Sequence, residues 1–483
     1  MDEKYIVAID FGTHKIALAV AMTDETGTRV VYYKETPANG MKGSRILTER
    51  KVSQQLNLAI KDAEDILKIK IVGAVVGMPR FFIRTEENEA HIDDRDTDSY
   101  ITVSEINDLK DFAQDSYPLE DSEQNTETVY GAVAQSFSTD EEFQLTEEDI
   151  VGMYGRRLEG HFKIFIGQKS PLTRIDRVMH LSGIVPIKKY FLPQITGPSV
   201  LYSTEAENGV ALIDFGAGCT SVSIYYKNVL RHYASIPFGG GNVTKDIQTE
   251  SNISLGMSEN LKLAYGACMP EKLQNMSEKQ LLIKSDNGDR DKRLSVKYLS
   301  EIITAREEEI IRAMLYEIGR SGFADKLQSG VVITGGGAMM TNLANFITEI
   351  SGYSVRLGRP RMNGIFNACT GSTATSATAA VGLIRAAVTD SVINCACLAE
   401  DYKPAEEAAE ESHEPVPTEL EHQAGVLPGL MTEEEIIRRK EEEEQKKKKE
   451  ERKPNVVFSW GNRFRKKVSD SCDNILNLLN ENN

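Results

Sequence analysis

Two segments, Ala8-Ile-Asp-Phe-Gly-Thr-His-Lys-Ile-Ala17 and Leu212-Ile-Asp-Phe-Gly-Ala-Gly-Cys-Thr-Ser221, repeat one design. Each is an apolar run, then Asp-Phe-Gly, then a short turn, then a second alternating apolar run. That order reads as a β-hairpin, and its return after about 200 residues suggests a duplicated domain rather than a short-period solenoid.

The chemistry of both hairpins suits polyphosphate. Glycines such as Gly12, Gly216 and Gly218 let backbone N–H groups approach phosphate oxygens with no Cβ in the way. Asp10 and Asp214, at strand ends, can hold the water shell of Mg²⁺, an ion that keeps several waters and takes few carboxylates. Thr13 and Lys15 add a hydroxyl and a cation. One such hairpin would also serve as an ordinary turn. The third element, Val331-Val-Ile-Thr-Gly-Gly-Gly-Ala-Met-Met340, narrows the choice. It is a strand running into Gly335, Gly336 and Gly337, at the edge where α/β proteins bind ligands. It is not a Walker loop, because no Gly-Lys-Ser/Thr follows, and the first strand lacks a Gly-x-Gly-x-x-Gly fingerprint.

Strand and helix patterns alternate over residues 5–390, which reads as α/β. Expected strands are Tyr5–Ile9, Ile16–Ala21, Ile71–Val76, Val210–Ile213, Ser221–Tyr226 and Val331–Thr334. Expected helices are Ser53–Leu67 and Ser295–Ile318, the latter with Leu299, Ile302, Ile303, Ile310 and Met314 set against Glu307, Glu308 and Arg312. Residues 84–160 are acid-rich and read either as an inserted module or as solvated loops; strands at Ser99–Val103 and Thr128–Val133 favour the module.

The 483 residues exceed one ordinary core, and their net charge of −17 argues against nucleic acid as a partner. Six cysteines lie without metal spacing, Cys395-Ala-Cys397 included, and read as buried or idle thiols in a reducing compartment. No secretory signal and no spanning segment is expected, so any membrane contact is peripheral.

The order of these parts resembles the actin superfamily and, within it, the FtsA family of bacterial cell-division proteins. The resemblance covers nearly all of residues 5–390. Asp10-Phe-Gly-Thr-His-Lys15 is similar to the first phosphate motif, Asp214-Phe-Gly-Ala-Gly218 to the second and Gly335-Gly-Gly337 to the adenosine motif. Ser258-Glu-Asn-Leu-Lys-Leu-Ala-Tyr-Gly266 resembles the nucleotide-flanking helix, which implies Glu259 and Lys262 beside the ribose and adenine. ATP and Mg²⁺ are the implied ligands, held by Gly12, Thr13, Lys15, Gly216, Ala217, Gly218, Glu259, Lys262 and Gly335–Gly337, with Asp10 and Asp214 on the metal through water. Thr146-Glu-Glu-Asp-Ile-Val-Gly-Met-Tyr-Gly-Arg-Arg-Leu-Glu-Gly-His161 is similar to the end of the family's inserted SHS2 subdomain, which DnaK-type chaperones and MreB lack.

The implied fold is a pair of duplicated actin-like (ribonuclease H-like) α/β domains with an α+β SHS2-type insertion. Domain I takes residues 1–83 and 163–195, the insertion 84–162 and domain II 196–360, with return helices over 361–397. A disordered linker (398–430), a charged helical spacer (431–454) and an amphipathic helix (455–483) follow. On that last helix Val457, Trp460, Phe464, Val468, Ile475 and Leu479 share a face, and Arg465 and Lys467 flank it, which describes an interfacial membrane helix. A helix that docks on a partner protein would show the same stripe.

The family implies a cytoskeletal adaptor, at most a weak ATPase. It would tether FtsZ to the cytoplasmic face of the bacterial membrane at the division septum, form actin-like filaments and meet later division proteins. Arg306, in Ser300-Glu-Ile-Ile-Thr-Ala-Arg306, is the position carried over for the FtsZ C-terminal peptide; an exposed helix charge is the other reading. The second hairpin departs from the family pattern at Ala217, Cys219 and Ser221, which favours ATP as a ligand over ATP as a substrate. An actin-superfold kinase or a chaperone-type ATPase is the alternative, although no catalytic base or peptide-binding domain is legible.

Overall fold

The computed structural model describes residues 4–93, 95, 99–119, 125–276, 278–283, 292–361, 364–367, 369–390 and 394–399. The spacer and amphipathic helix, and all but two residues of the linker, lie outside them.

Two sheets repeat one topology. In the first, Lys4–Phe11, Lys15–Asp24 and Gly27–Pro37 form an antiparallel meander. Gly73–Gly77 and then Val185–Tyr190 extend it in parallel on the other side of Lys4–Phe11. In the second, Val210–Phe215, Thr220–Tyr226 and Val229–Ile236 make the meander, and Val331–Thr334 and Val355–Leu357 add the parallel strands. Both sheets thus run third, second, first, fourth, fifth; Ile365–Asn367 adds an edge strand to the first. Parallel neighbours need a crossover, and helices Glu49–Leu67 and Val296–Arg320 lie in the two corresponding connections. The strands Val210–Phe215 and Gly73–Gly77 are buried at every residue, which is why their sequences read as continuous apolar runs.

Three readings are corrected. The expected strand over Ile71–Val76 is two, Ile69–Ile71 and Gly73–Gly77, because the chain turns at Val72, where the N–H groups of Val72 and Gly73 both donate to the Cys395 carbonyl at 2.9 and 3.0 Å. Ser99–Val103 is not a strand. Thr102 caps helix Val103–Asp115 instead: its hydroxyl accepts from the Glu105 N–H at 3.3 Å, and its own N–H donates to the Glu105 carboxylate at 2.8 Å. Glu307 leaves the polar face assigned to it and is 2% exposed. The described cysteines are all free, and Cys395 is buried.

Between the first sheet's parallel strands, Arg84–Ile92, Leu158–Gln168 and Glu127–Ser138 form a three-stranded antiparallel sheet. Its central strand alternates. Leu158, Phe162, Ile164 and Ile166 pack with Ile106 and Leu109 of the covering helix, while Phe165 turns the other way into a cluster with Phe191 and Tyr233. That second cluster also holds Val210, Leu212 and Val332, so one face of this sheet seats against the second duplicated sheet. Among the described residues, no helix is long and apolar enough to cross a membrane.

Candidate functional site

The two Asp-Phe-Gly turns close in the same way. The Gly12 N–H donates to the Lys15 carbonyl, and the Gly216 N–H to the Cys219 carbonyl, each at 3.0 Å. A helix start then supports the second turn, since the N–H groups of Gly240 and Gly241 donate to the carbonyls of Gly216 and Ala217 at 3.0 and 2.8 Å. The third loop fits against the same hairpin. Gly335 has φ +87°, and a Cβ there would overlap the Asp214 carboxylate, so glycine is required both by conformation and by space.

These loops border one cleft of about 810 Å³, within the range of sites that enclose a small ligand. Asp10, Gly12, Thr13, Lys15, Asp214, Gly216, Ala217, Gly218, Glu259, Lys262, Gly335, Gly336 and Gly337 all line it. Residues separated by more than 300 positions in the chain are therefore brought to one cavity.

Asp10 and Asp214 stand at equivalent places, paired across their hairpins with Ala17 and Ser221. Both are buried, at 7% and 9% exposure. Between them lies Arg80, whose Nη1 donates to Asp214 and whose Nη2 is 3.6 Å from Asp10. Burial opposes the guanidinium charge, but Asp214 and Asp10 more than offset this and hold Arg80 protonated. Burial pushes the Asp214 carboxyl up, Arg80 pulls it back, and Asp10 adds to the push. Two carboxylates thus share one guanidinium and keep an excess of negative charge. Such a pair fits a hydrated divalent cation, which takes one or two carboxylates and keeps its waters.

The other charges are also engaged. Lys15 pairs with Glu35 and donates to the Ser376 carbonyl at 3.2 Å. Lys262 reaches Glu259 at 2.8 Å, Thr244 at 2.8 Å and the Gly240 carbonyl at 3.0 Å. Burial works against the Glu259 charge, yet hydrogen bonds from Lys262 and Thr244 win and hold its carboxyl below the usual range. Glu307 also lines the cleft, and its buried Oε2 has no hydrogen-bond partner. Burial raises its pKa to about 7 against the opposing charges of Lys262 and Arg306.

Arg306 lies outside the cleft lining, and it is not the exposed helix charge of the alternative reading. Its guanidinium is half-buried, donating to Asp246 from Nε at 2.5 Å and from Nη2 at 3.2 Å, and it also pairs with Glu309. Val457, Trp460, Phe464, Arg465, Lys467, Val468, Ile475 and Leu479 fall outside the described residues.

Sequence reasoning missed Arg80, Glu35 and Glu307. A signal existed for Arg80, which follows a short apolar strand at the edge where ligands bind. Glu307 carried one too, since it interrupts the stripe Ile303, Ile310, Met314 at helical spacing. Glu35 had none, because the partners that tie it to the cleft, Lys15 and Ser376, come from other segments.

Comparison with known proteins places these features. A family model described as "Cell division protein FtsA" matches residues 211–381. A protein of that name from Pseudomonas aeruginosa is 30% identical over 362 residues, covering 74% of this chain and 83% of the relative. One from Neisseria meningitidis is 29% identical over 367 residues, covering 75% and 85%. Among solved structures, the PilM-PilN type IV pilus biogenesis complex aligns with a TM-score of 0.54 at 12% identity, over 79% of this chain and 98% of the matched chain. That likeness concerns the fold, which is the duplicated actin-like one.

Proposed function

Because the chain belongs to the FtsA family of cell-division proteins, we propose that it is an ATP-binding, actin-like adaptor that tethers FtsZ to the cytoplasmic membrane. The observation that carries the reading is the convergence of the two hairpin turns and the Gly335–Gly337 loop on one cleft.

In this reading the glycine turns hold the phosphates, and Glu259 and Lys262 stand beside the ribose and base. Thr13 and Lys15 supply a hydroxyl and a cation at the polyphosphate. Asp10 and Asp214 would hold Mg²⁺ through water, and the ion would neutralise phosphate charge. No described side chain is assigned as a catalytic base, and the chain is read as a nucleotide-binding adaptor and at most a weak ATPase. The sheet over residues 84–162 is read as an SHS2-type insertion. Arg306 is read as part of the surface that captures the FtsZ C-terminal peptide. The stripe from Val457 to Leu479, with Arg465 and Lys467, is read as the anchor on anionic lipid. Later division proteins would gather on the tethered filament at the septum.

The test is recruitment of FtsZ polymers to anionic vesicles with ATP and Mg²⁺, by the full chain and by a chain lacking residues 456–483. Recruitment by the full chain alone is expected. Equal vesicle binding by both chains would refute the anchor, and a vesicle-bound full chain that leaves FtsZ in solution would refute the tether.

A further inference from the structure

Arg80 has a place that the reading above does not explain. It follows the strand Gly73–Gly77 and precedes Arg84–Ile92, the first strand of the inserted sheet. Its side chain is 19% exposed and joins the carboxylates of both hairpins, Asp214 by a hydrogen bond and Asp10 across 3.6 Å. Its carbonyl accepts from the Tyr233 hydroxyl, whose ring packs near Phe165 of the inserted sheet at a centroid separation of 6.4 Å. The arginine is therefore fixed at both ends, backbone and guanidinium, at the floor of the cleft.

Resting on the assignment of the cleft to a nucleotide, we propose that Arg80 is a built-in counter-cation that lets a nucleoside triphosphate bind without a divalent metal. A metal between paired carboxylates and a polyphosphate does two things: it cancels the carboxylate charge and it bridges to phosphate oxygen. A guanidinium cancels one unit of that charge and can bridge to phosphate oxygen in the same way. It carries five N–H donors in a planar fork, stays charged across the working pH range and is less strongly hydrated than an ammonium. The other lysines that line the cleft are paired with single acids, Lys15 with Glu35, Lys262 with Glu259 and Lys272 with Glu349, whereas Arg80 reaches the carboxylates of both hairpins. Without Arg80, a polyphosphate in a metal-free cleft would meet two buried carboxylates with nothing between them. The 3.6 Å gap from Nη2 to Asp10 is an ion-pair distance, longer than a hydrogen bond, so Nη2 can donate to phosphate while Nη1 stays on Asp214.

The experiment measures ATP affinity by calorimetry, with excess Mg²⁺ and again with EDTA, for the full chain and for R80Q and R80K. The quantity read is the ratio of the two affinities. It is expected below about tenfold for the natural chain and above about a hundredfold for R80Q, with R80K between them as a point charge without the fork. A natural chain that loses ATP in EDTA, or an R80Q ratio equal to that of the natural chain, overturns the proposal while leaving the nucleotide assignment in place. Absence of ATP binding in either buffer overturns both. The natural chain's ratio needs no variant, so a misfolded R80Q cannot shelter the idea.

Discussion

Gly218 of the second hairpin and Thr13 of the first touch across the cleft: a Cβ at Gly218 would overlap the Thr13 hydroxyl and come within 2.9 Å of the Ser44 hydroxyl. Thr13 is itself held, since its Oγ1 accepts from the Ser44 N–H at 3.0 Å. The missing side chain at residue 218 is thus what allows the two turns to face one ligand.

Gly218→Ala should accordingly weaken ATP binding by about tenfold, because the turns must part to admit one methyl group. Adding Thr13→Gly makes room, and the double variant should recover part of the loss that a simple sum would forbid. Calorimetric titration of the four combinations reads the coupling. Strict additivity would mean that the two turns act independently.

Glu307 should make stability depend on pH. Its folded pKa of about 7 lies above the ordinary 4.5, so the folded state holds the proton more tightly than the unfolded chain. The contribution is complete below about pH 4.5 and disappears as pH rises through about 7. Between pH 5.5 and pH 8 the natural chain should lose about 2 kcal/mol that Glu307→Gln does not lose. Urea midpoints at both pH values check this, and parallel pH profiles for the two proteins would refute it.

Arg306→Gln should weaken capture of an FtsZ C-terminal peptide by about tenfold in fluorescence anisotropy. Because Asp246 and Glu309 lose their shared partner, thermal stability should fall too, by the equivalent of about 1 kcal/mol for a partly exposed pair. Adding Asp246→Asn relieves one of the two stranded acids and should restore part of the stability without restoring the peptide. Unchanged peptide affinity in Arg306→Gln moves the capture site elsewhere.

Much of the cleft was legible because its parts are local. An Asp-Phe-Gly turn between two alternating runs carries its own geometry, and Gly335 announces a backbone that no other residue adopts easily. Duplication could be read for the same reason, as one local pattern occurring twice. The capped helix at Val103–Asp115 shows the opposite case. The residues that lead into it, Ile101, Thr102 and Val103, are β-branched, like a strand, and the hydrogen bonds between Thr102 and Glu105 decide otherwise.

What the amino-acid sequence determined by itself was the pair of hairpins, the glycine loop, the helical and strand periods and the family. What only the tertiary structure decided was how charge is shared among residues far apart in the chain. Asp10 and Asp214 stand in legible motifs, but nothing in the sequence joins them to Arg80, and folding turns the three into one electrostatic unit. Glu307 and Arg306 are adjacent in sequence yet have opposite fates, one with its Oε2 lacking a hydrogen-bond partner beside the cleft and the other paired with Asp246. The physical reason is that a charge's energy depends on the water it loses and the partners it meets, and both are set by folding.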